Sequence, residues 1–534
     1  MAQRAVISGD DQSEVSGPGA LLEQLRSGAL GRRAFVQSAI AVGLTPVLAG
    51  YLGRNPAAAQ SAPGGLTITL PRTIVALDPH GAQAVEETTA VVSSHIHDTL
   101  TTRNPETGEI LPRLAERWEM TDPTTWIFTL RSGVTFHNGA PFTSADVKAS
   151  LDRLIALEGP LAPLWAGVTS VEAPDPLTVR ILTGTTIGTI PVSATLLFVA
   201  PAAGLENPDF FQNPYGLGPY QFVSWTPDSQ LEMTSNPAYY GGAPGLSTIT
   251  IREIPEQSAR STSLETGEID FTYGISPDQL PALRENADLT IASTPSFRYY
   301  FIWFNATREP FTNPQVRRAL IHALDIDTMV TDLMTDVAVR AQAPIPTTVF
   351  GSVPQTPYAY DPELAMSMLA EAGFPDGFET SIQWNPGAAP QDRELLLTML
   401  AYWEAIGVRV NNLEKERAVW LEDLLALNWD LNFQDNTVRT GDADFTLRRL
   451  YTSSANRTGY ANPELDKILA AAAASSEATE REMLYGQACK ILWDEAVGIF
   501  PFDLVENYIY RNRLQGFVPA PNAIPTFIDV TVTD

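Results

Sequence analysis

The chain has 534 residues, of which 44% are hydrophobic and 18% charged, a composition typical of a globular protein and not of a disordered or fibrous one. This length exceeds what a single hydrophobic core organises, so two or more lobes are expected. The formal net charge of −28 at pH 7 repels phosphate backbones and argues against a nucleic-acid partner. Its single cysteine excludes an internal disulfide.

The N-terminal segment has the features of an export signal. Arg32 and Arg33, followed by Ala-Phe-Val, match the core of a twin-arginine signal. The apolar segment 34–50 is interrupted by polar residues and is shorter than the roughly 20 apolar residues of a membrane span. Ala59 is the last of three alanines that suit a signal peptidase. The pattern predicts that residues 1–59 are a signal peptide and that the mature protein is periplasmic; the alternative is an amphipathic cytosolic arm.

The first strands and helix are predicted from local patterns. The segment 66–70 alternates apolar and polar residues, which is typical of a strand. Trp126, Phe128 and Leu130 alternate in the same way, and a Ser-Gly turn leads to a short second strand at 134–136. A helix then begins after an N-terminal Thr with an Asp three residues on, the arrangement of a capping box.

The second half is predicted to be more helical. Asn313, Asp361 and Asn462 each precede a proline and are expected to cap helices, whereas Gly373 and Gly407 suit helix C-termini.

Helical and strand periods then alternate. A helix is predicted over 391–406, a strand over 408–413, a second helix over 418–427 and a second strand over 429–434, which favours an α/β arrangement.

Several of these segments resemble a known family. The run from Trp126 to Phe142 is similar to the pattern W-x-F-x-L-R-x-G-V-x-F-H-x-G-x-P-F of the family 5 extracellular solute-binding proteins, the ligand-capturing subunits of ABC importers. Leu217 replaces the threonine of the family's G-T-G-P-Y turn. Four further segments, in the family's order, carry the resemblance over roughly residues 66–520: 213–220, 264–270, 311–325 and 360–373.

The resemblance implies the fold class α/β: a two-lobe periplasmic-binding-protein (Venus flytrap) fold with an enlarged, strand-rich first lobe. Lobe I is expected to span 60–295, lobe II 296–504, and residues 505–534 to return to lobe I. Hinges are expected where strands cross between the lobes, near 296–304 and 502–510.

The implied function is capture of a small solute by lobe closure and its delivery to the transmembrane permease subunits of an ABC transporter. Peptide is the default ligand of the family; an opine, a glycan, a glutathione-like solute or a metal complex is the alternative. The chain has no G-x-S-x-G, H-E-x-x-H, Walker A or G-x-G-x-x-G motif, so an enzyme is not expected, and a secreted hydrolase with an unrecognised site is the alternative of another class. No cofactor is predicted, and the expected state is a monomer.

Polar residues at strand ends are the first candidates for ligand contact. Trp384 and Asn385 end one predicted strand, and Asp435 and Asn436 end another. Ligand clefts combine apolar walls with a few placed polar groups, and the family places such groups at strand ends.

Further candidates rest on the resemblance. Asp442 lies in a loop similar to the G-D-P-D element of dipeptide-binding relatives, whose first Asp neutralises the peptide ammonium, although Ala443 replaces the proline. Arg439 is a candidate for a ligand carboxylate, with a salt bridge as the alternative. Trp303 and Tyr299 lie on the expected hinge strand, where they either stack on ligand or pack in the core.

The histidines suggest no base. His95 and His97 would share a face on a strand, where they could bind a metal, but would diverge on a helix. The simpler interpretation is packing, and no metal site is predicted.

Overall fold

The computed structural model describes residues 64–105, 107–386 and 391–533, so the predicted signal residues Arg32, Arg33 and Ala59 lie outside the described part. The strands of this part are β1 (Gly65–Thr69), β2 (Asp98–Thr99), β3 (Thr101–Arg103), β4 (Ile110–Pro112), β5 (Ala115–Asp122), β6 (Thr125–Leu130), β7 (Val168–Asp175), β8 (Thr178–Thr183), β9 (Phe198–Val199), β10 (Tyr220–Thr226), β11 (Gln230–Ser235), β12 (Thr248–Arg252), β13 (Phe271–Tyr273), β14 (Leu289–Phe304), β15 (Ala338–Arg340), β16 (Glu379–Trp384), β17 (Arg409–Glu414), β18 (Leu431–Thr437), β19 (Gly498–Arg511), β20 (Leu514–Gln515) and β21 (Thr531–Val532).

The α-helices of the same part are α1 (Glu87–Ile96), α2 (Ser144–Ala156), α3 (Ile190–Ser193), α4 (Ala202–Leu205), α5 (Gln257–Thr266), α6 (Leu280–Glu285), α7 (Pro314–His322), α8 (Ile326–Leu333), α9 (Pro362–Glu371), α10 (Asp392–Ala405), α11 (Arg417–Leu425), α12 (Ala443–Tyr451), α13 (Pro463–Ala474) and α14 (Ala478–Asp494). Short 3₁₀ segments lie at Ala162–Trp165, Ala194–Leu196, Phe210–Gln212 and Ser453–Ala455. No helix in these described ranges is both long and apolar enough to cross a membrane. The short segment 237–243 forms a turn of its own in which the backbone N–H of Gly242 donates to the carbonyl of Tyr239 at 3.0 Å.

The capping predictions are confirmed. The side chains of Asn313, Asp361 and Asn462 each accept a hydrogen bond from a backbone N–H in the first turn of α7, α9 and α13. The N–H of Thr143 donates to the Asp146 carboxylate at 2.8 Å at the start of α2.

One predicted strand is wrong. Residues 134–136 contribute only an isolated bridge between Thr135 and Pro141, because this segment turns back on itself at Asn138 and Gly139 and has no neighbouring strand to pair with.

The largest sheet has the strand order β10-β11-β12-β1-β13-β19-β14-β18-β16-β17, with β15 also paired to β19. Two long strands occupy its middle. The first part of β14, Leu289–Pro295, pairs with Val505–Arg511 of β19, and β13 joins there at Tyr508–Tyr510. The register breaks between Pro295 and Tyr299, after which β14 pairs with Gly498–Asp503 and with β18.

This sheet therefore has two halves that only β14 and β19 connect. The break in pairing lies within the two stretches predicted as hinges. The name lobe I denotes residues 60–295 together with 505–534, and the name lobe II denotes residues 296–504.

Each half has its own core. One cluster of buried apolar side chains is centred on β1, β11, β12 and β13, with Phe527 and Val530 of the C-terminal segment. The other surrounds β14, β16 and β18 with the helices α7 and α10, whose Trp403 is fully buried. The second cluster also takes in Leu264, Leu280 and Leu283 of lobe I, so it extends across the shared strands.

Candidate ligand-binding cleft

A cleft between residues of the two lobes encloses about 960 Å³ of space not filled by protein atoms, part of it open to solvent. Lobe I contributes Arg72, Val85, Glu86 and Pro160. The lobe II lining consists of Asn385, Arg417, Trp420, Phe433, Gln434, Asp435, Asn436, Thr437, Arg439, Phe445 and Arg449.

The polar part of this lining lies at the carboxyl ends of the parallel strands β16 and β18. Leu431–Phe433 of β18 is buried in the lobe II core, and the strand then becomes polar and half-buried from Gln434 to Thr437. Asn385 follows β16, so it lies at the same carboxyl edge of the parallel pair. Ligands bind at this edge in open α/β sheets because the loops there diverge and leave a crevice.

Arg449 lies on α12, lines the cleft and forms no ion pair with a carboxylate of the described residues. Its Nη2 donates to the side-chain oxygen of Asn436 at 3.0 Å, its Nε to the carbonyl of Phe445 at 3.3 Å, and its guanidinium lies 4.9 Å from the centre of the Phe445 ring. Asn436 in turn donates to the hydroxyl of Thr446 at 3.2 Å. Burial lowers the pKa of Arg449 to about 10, because the charged form is poorly solvated there.

Arg439 likewise has only carbonyl partners. Its Nη1 donates to the carbonyl of Asn522 at 3.0 Å and its Nη2 to that of Val85 at 3.2 Å, both in lobe I. Burial lowers the pKa of this guanidinium as well. Arg439 therefore connects the two lobes at the cleft and makes its hydrogen bonds to neutral carbonyls, although the carboxylates of Glu86 and Glu87 are near enough to favour its charged form.

The two acidic residues of the lining are already ion-paired. Asp435 accepts from Nε of Arg298 at 2.8 Å, and Glu86 lies 3.5 Å from Arg417. Four guanidinium groups face two carboxylates, so the lining has a formal charge of 4 − 2 = +2 in a chain of charge −28.

Two neutral donors of the lining are also unsatisfied. Nε1 of Trp420 and Nε2 of Gln434 are buried and have no hydrogen-bond partner among the described residues. A buried donor without an acceptor lowers the stability of the protein. A ligand rich in acceptor oxygens would accept hydrogen bonds from both groups.

The structure brings together four of the predicted site residues, Asn385, Asp435, Asn436 and Arg439, in the cleft lining. It does not place the four others there: Trp384, Trp303, Tyr299 and Asp442.

The three aromatic residues Trp384, Trp303 and Tyr299 lie in the protein core. Nε1 of Trp384 donates to Asn412 at 2.7 Å on the neighbouring strand, and Nε1 of Trp303 donates to the hydroxyl of Tyr451 at 3.1 Å. Tyr299 is fully buried against Phe301. Trp384 belongs to the buried cluster around β16 and α10. Trp303 and Tyr299 lie on the opposite face of β14 from Tyr300 and Ile302, because side chains alternate along a strand, and Trp303 packs there against Tyr451 of α12.

Asp442 is the N-cap of α12 and is 1% exposed. Its Oδ1 accepts from the backbone N–H of Asp444 at 3.1 Å and from Nη2 of Arg481 at 2.6 Å, and its Oδ2 lies 3.5 Å from Nη2 of Arg103. Protein arginines thus occupy the place that the sequence assigned to a ligand ammonium. The predicted amine contact would need one of them to move away.

Sequence reasoning missed Arg449, Arg417 and Trp420. A signal was present: Arg449 follows Phe445 by four residues on a helix that starts at the cleft loop, and Trp420 follows Arg417 by three on α11. Their approach to β18 depends on how the helices pack, which the local pattern does not specify.

The histidines lie elsewhere. His95 ends α1, where its Nδ1 bonds the carbonyl of Val91 at 2.7 Å, and His97 follows that helix. No group of three or more His, Cys, Asp or Glu side chains suited to a metal occurs in the described ranges. Cys489 is buried in α14.

Comparison with known proteins agrees with this architecture. The family model described as "Bacterial extracellular solute-binding proteins, family 5 Middle" matches residues 109–458. The glutathione-binding protein GsiB of Pectobacterium atrosepticum is 29% identical over 493 residues, 88% of this chain and 94% of that protein. GsiB of Salmonella typhimurium is 30% identical over 449 residues, 78% of this chain and 85% of that protein.

Solved structures share the fold. The Helicobacter pylori periplasmic binding protein DppA, in complex with the peptide STSA, has a TM-score of 0.76 at 24% identity and covers 88% of this chain and 98% of that one. NikA of Brucella suis, in complex with Fe(III)-EDTA, has a TM-score of 0.80 at 22% identity over 88% and 100% of the two chains. These similarities confirm the predicted two-lobe periplasmic-binding-protein fold. The chain therefore belongs to the family 5 bacterial extracellular solute-binding proteins, the substrate-binding subunits of ABC importers.

Proposed function

We propose that this protein captures a small peptide-class solute that carries more carboxylate than ammonium groups. The observation that carries the proposal is the charge of the cleft lining. Its two carboxylates are ion-paired, whereas Arg439 and Arg449 form hydrogen bonds only to neutral groups of the described residues.

A carboxylate suits Arg449 on geometric grounds. Asn436 and the Phe445 carbonyl hold two edges of its guanidinium, and Nη1 has no protein partner among the described contacts. A planar guanidinium fixed in this way pre-organises a charge-assisted bond to a carboxylate. The same ligand would supply acceptors to Trp420 and Gln434.

The relatives agree with this ligand class. The curated relatives are glutathione-binding proteins, and one structural neighbour holds the peptide STSA. Glutathione is a tripeptide with two carboxylates and one ammonium, which is the charge balance that the lining favours. The described residues of the lining include no His, Ser or Cys, so the lining gives no support to a hydrolase.

The remaining parts of the role belong to the same proposal and rest on the sequence pattern and the family's mode of action. The protein would act as a monomer in the periplasm after twin-arginine export, close its lobes around the solute by bending at β14 and β19, and pass it to the permease. Ligand that contacts both lobes only in the closed state shifts the population toward that state.

The test is calorimetry with a matched set of tripeptides that differ only in the number of carboxylates. We expect the peptide with a second carboxylate to bind more tightly than the neutral one, and a lysine-containing peptide to bind least. Arg449→Gln should lose a charge-assisted bond worth about 1.5–3 kcal/mol, a loss of roughly 10- to 150-fold in affinity.

Arg180→Gln is the matched control, because Arg180 forms an exposed pair with Glu172 and neither residue lines the cleft. Equal affinity for all peptides, or tighter binding of the cationic one, would refute the charge argument. Native mass spectrometry of the purified protein identifies a retained ligand independently.

A further inference from the structure

We propose that two contacts between the lobes, both outside the cleft lining, form a clasp that holds the protein closed and thereby sets its affinity for every ligand alike. Arg103 makes one contact and Gly188 the other. The inference rests on the proposed capture by lobe closure, but it concerns residues that touch no ligand.

The first contact is made by Arg103 at the end of β3 in lobe I. Its Nε donates to the carbonyl of Thr440 and its Nη2 lies 3.5 Å from Oδ2 of Asp442, both in lobe II. Its Nη1 donates to Gly108 in its own hairpin, which fixes the guanidinium. Only 10% of the Arg103 side chain is exposed, so the pair is shielded from solvent.

Asp442 does not depend on Arg103 for its charge. Arg481 of α14 lies within the same lobe and pairs with the other carboxylate oxygen at 2.6 Å. Loss of Arg103 therefore leaves Asp442 compensated and lobe II intact, so this arginine acts between the lobes and not within one.

The second contact is a close approach of backbones. The N–H of Gly188, in the loop before α3, donates to the carbonyl of Ala473 at 2.7 Å. A Cβ at position 188 would lie 2.0 Å from the carbonyl oxygen of Ser475. Any side chain at this position would therefore clash with lobe II. The backbone of Gly188 lies outside the left-handed region, so its own conformation does not require glycine.

The two contacts form one surface on each lobe. In lobe I the hydroxyl of Thr101 on β3 donates to the carbonyl of Pro191 on α3 at 2.7 Å, which joins the two segments. In lobe II the start of α12 and the turn between α13 and α14 are adjacent, because Arg481 of α14 binds Asp442. The clasp comprises Arg103, Gly188, Thr440, Asp442, Ala473 and Ser475, none of which lines the cleft.

Opening must break the clasp, because a contact this close cannot survive separation of the two surfaces. The clasp therefore favours the closed state whether or not ligand is present. The apparent dissociation constant of any ligand equals its intrinsic value divided by the fraction of competent protein, so weakening the clasp should weaken all ligands by the same factor.

The test measures lobe separation and affinity in the same variants. Nitroxide labels at Glu119→Cys in lobe I and Glu482→Cys in lobe II report the distance between exposed sites, and native Cys489 is buried and stays unlabelled. The clasp variants are Arg103→Gln and Gly188→Ala. Their matched controls are Arg180→Gln and Gly184→Ala, since a Cβ at position 184 would meet no atom closer than 3.5 Å.

We expect a longer distance in both clasp variants without ligand, and a loss of affinity for two different tripeptides by the same factor, roughly 5- to 150-fold. The controls should match the parent. Unchanged distances in variants whose circular dichroism melts match the parent would overturn the clasp, as would a changed rank order of ligands. If no peptide binds, the proposed function fails, and the distances alone then decide the clasp.

Discussion

Replacement of Asp442 by asparagine separates the two roles that sequence and structure assign to this residue. Asparagine keeps the acceptor that caps α12 but removes the charge that faces Arg481 and Arg103. Arg481 is 7% exposed, so the change leaves a buried guanidinium without its carboxylate. Breaking a buried pair in this way costs about 3–5 kcal/mol, and we expect the free energy of unfolding to fall by that amount.

The assay is urea unfolding followed by circular dichroism, with the midpoint compared at unchanged slope. Asp152→Asn is the control, because Asp152 forms an exposed pair with Lys148 whose loss costs under about 1 kcal/mol. Affinity is measured in parallel for a peptide with a free amine and for its N-acetylated form. If stability is unchanged and only the free amine loses affinity, Asp442 anchors a ligand ammonium and the structural reasoning is refuted.

Two further predictions concern pH. Burial lowers the pKa of His80 and His95 to about 4 and of His97 to about 3, so these rings stay neutral in the folded protein while the unfolded chain gains protons below its ordinary value of 6.5. Stability should therefore fall as pH drops from about 6.5 to about 4, by up to about 1.4 kcal/mol per pH unit for each ring, and a urea midpoint independent of pH in this range would contradict it. Burial raises the pKa of Asp503 from 3.8 to about 7, so its ionisation opposes folding increasingly as pH rises from about 4 to 7. Asp503→Asn should raise the free energy of unfolding at pH 8 by about 4 kcal/mol and have no such effect below pH 4; equal gains at both pH values would show another cause.

Features that depend on neighbouring residues were predictable from the sequence. The caps at Asn313, Asp361 and Asn462 require only a side-chain acceptor and the proline after it. Asp435 and Asn436 were predicted as cleft residues because they are polar residues at the end of a predicted strand, and the structure places both in the lining.

Features that depend on partners far away in the sequence could not be predicted. Asp442 pairs with Arg481, 39 residues away, and Thr440 beside it binds Arg103, 337 residues away. Trp303 and Trp384 have aromatic surface of the right kind, but each is covered by a different element: Tyr451 of α12 packs on Trp303, and Trp384 lies in the cluster that includes α10. The alternation of residues along a strand shows which side chains share a face, but it does not show which of the two faces is covered by other elements.

The shared strands of the large sheet have a consequence for the order of assembly. β19, residues Gly498–Arg511, lies between β13 and β14, although both of those strands are made more than 190 residues earlier. Neither can complete its backbone hydrogen bonds until the ribosome has released this late segment. Pairing of both halves of this sheet should then wait for this one segment, and a nascent chain that stops before Gly498 should leave the large-sheet strands on both sides of β19 open to proteases.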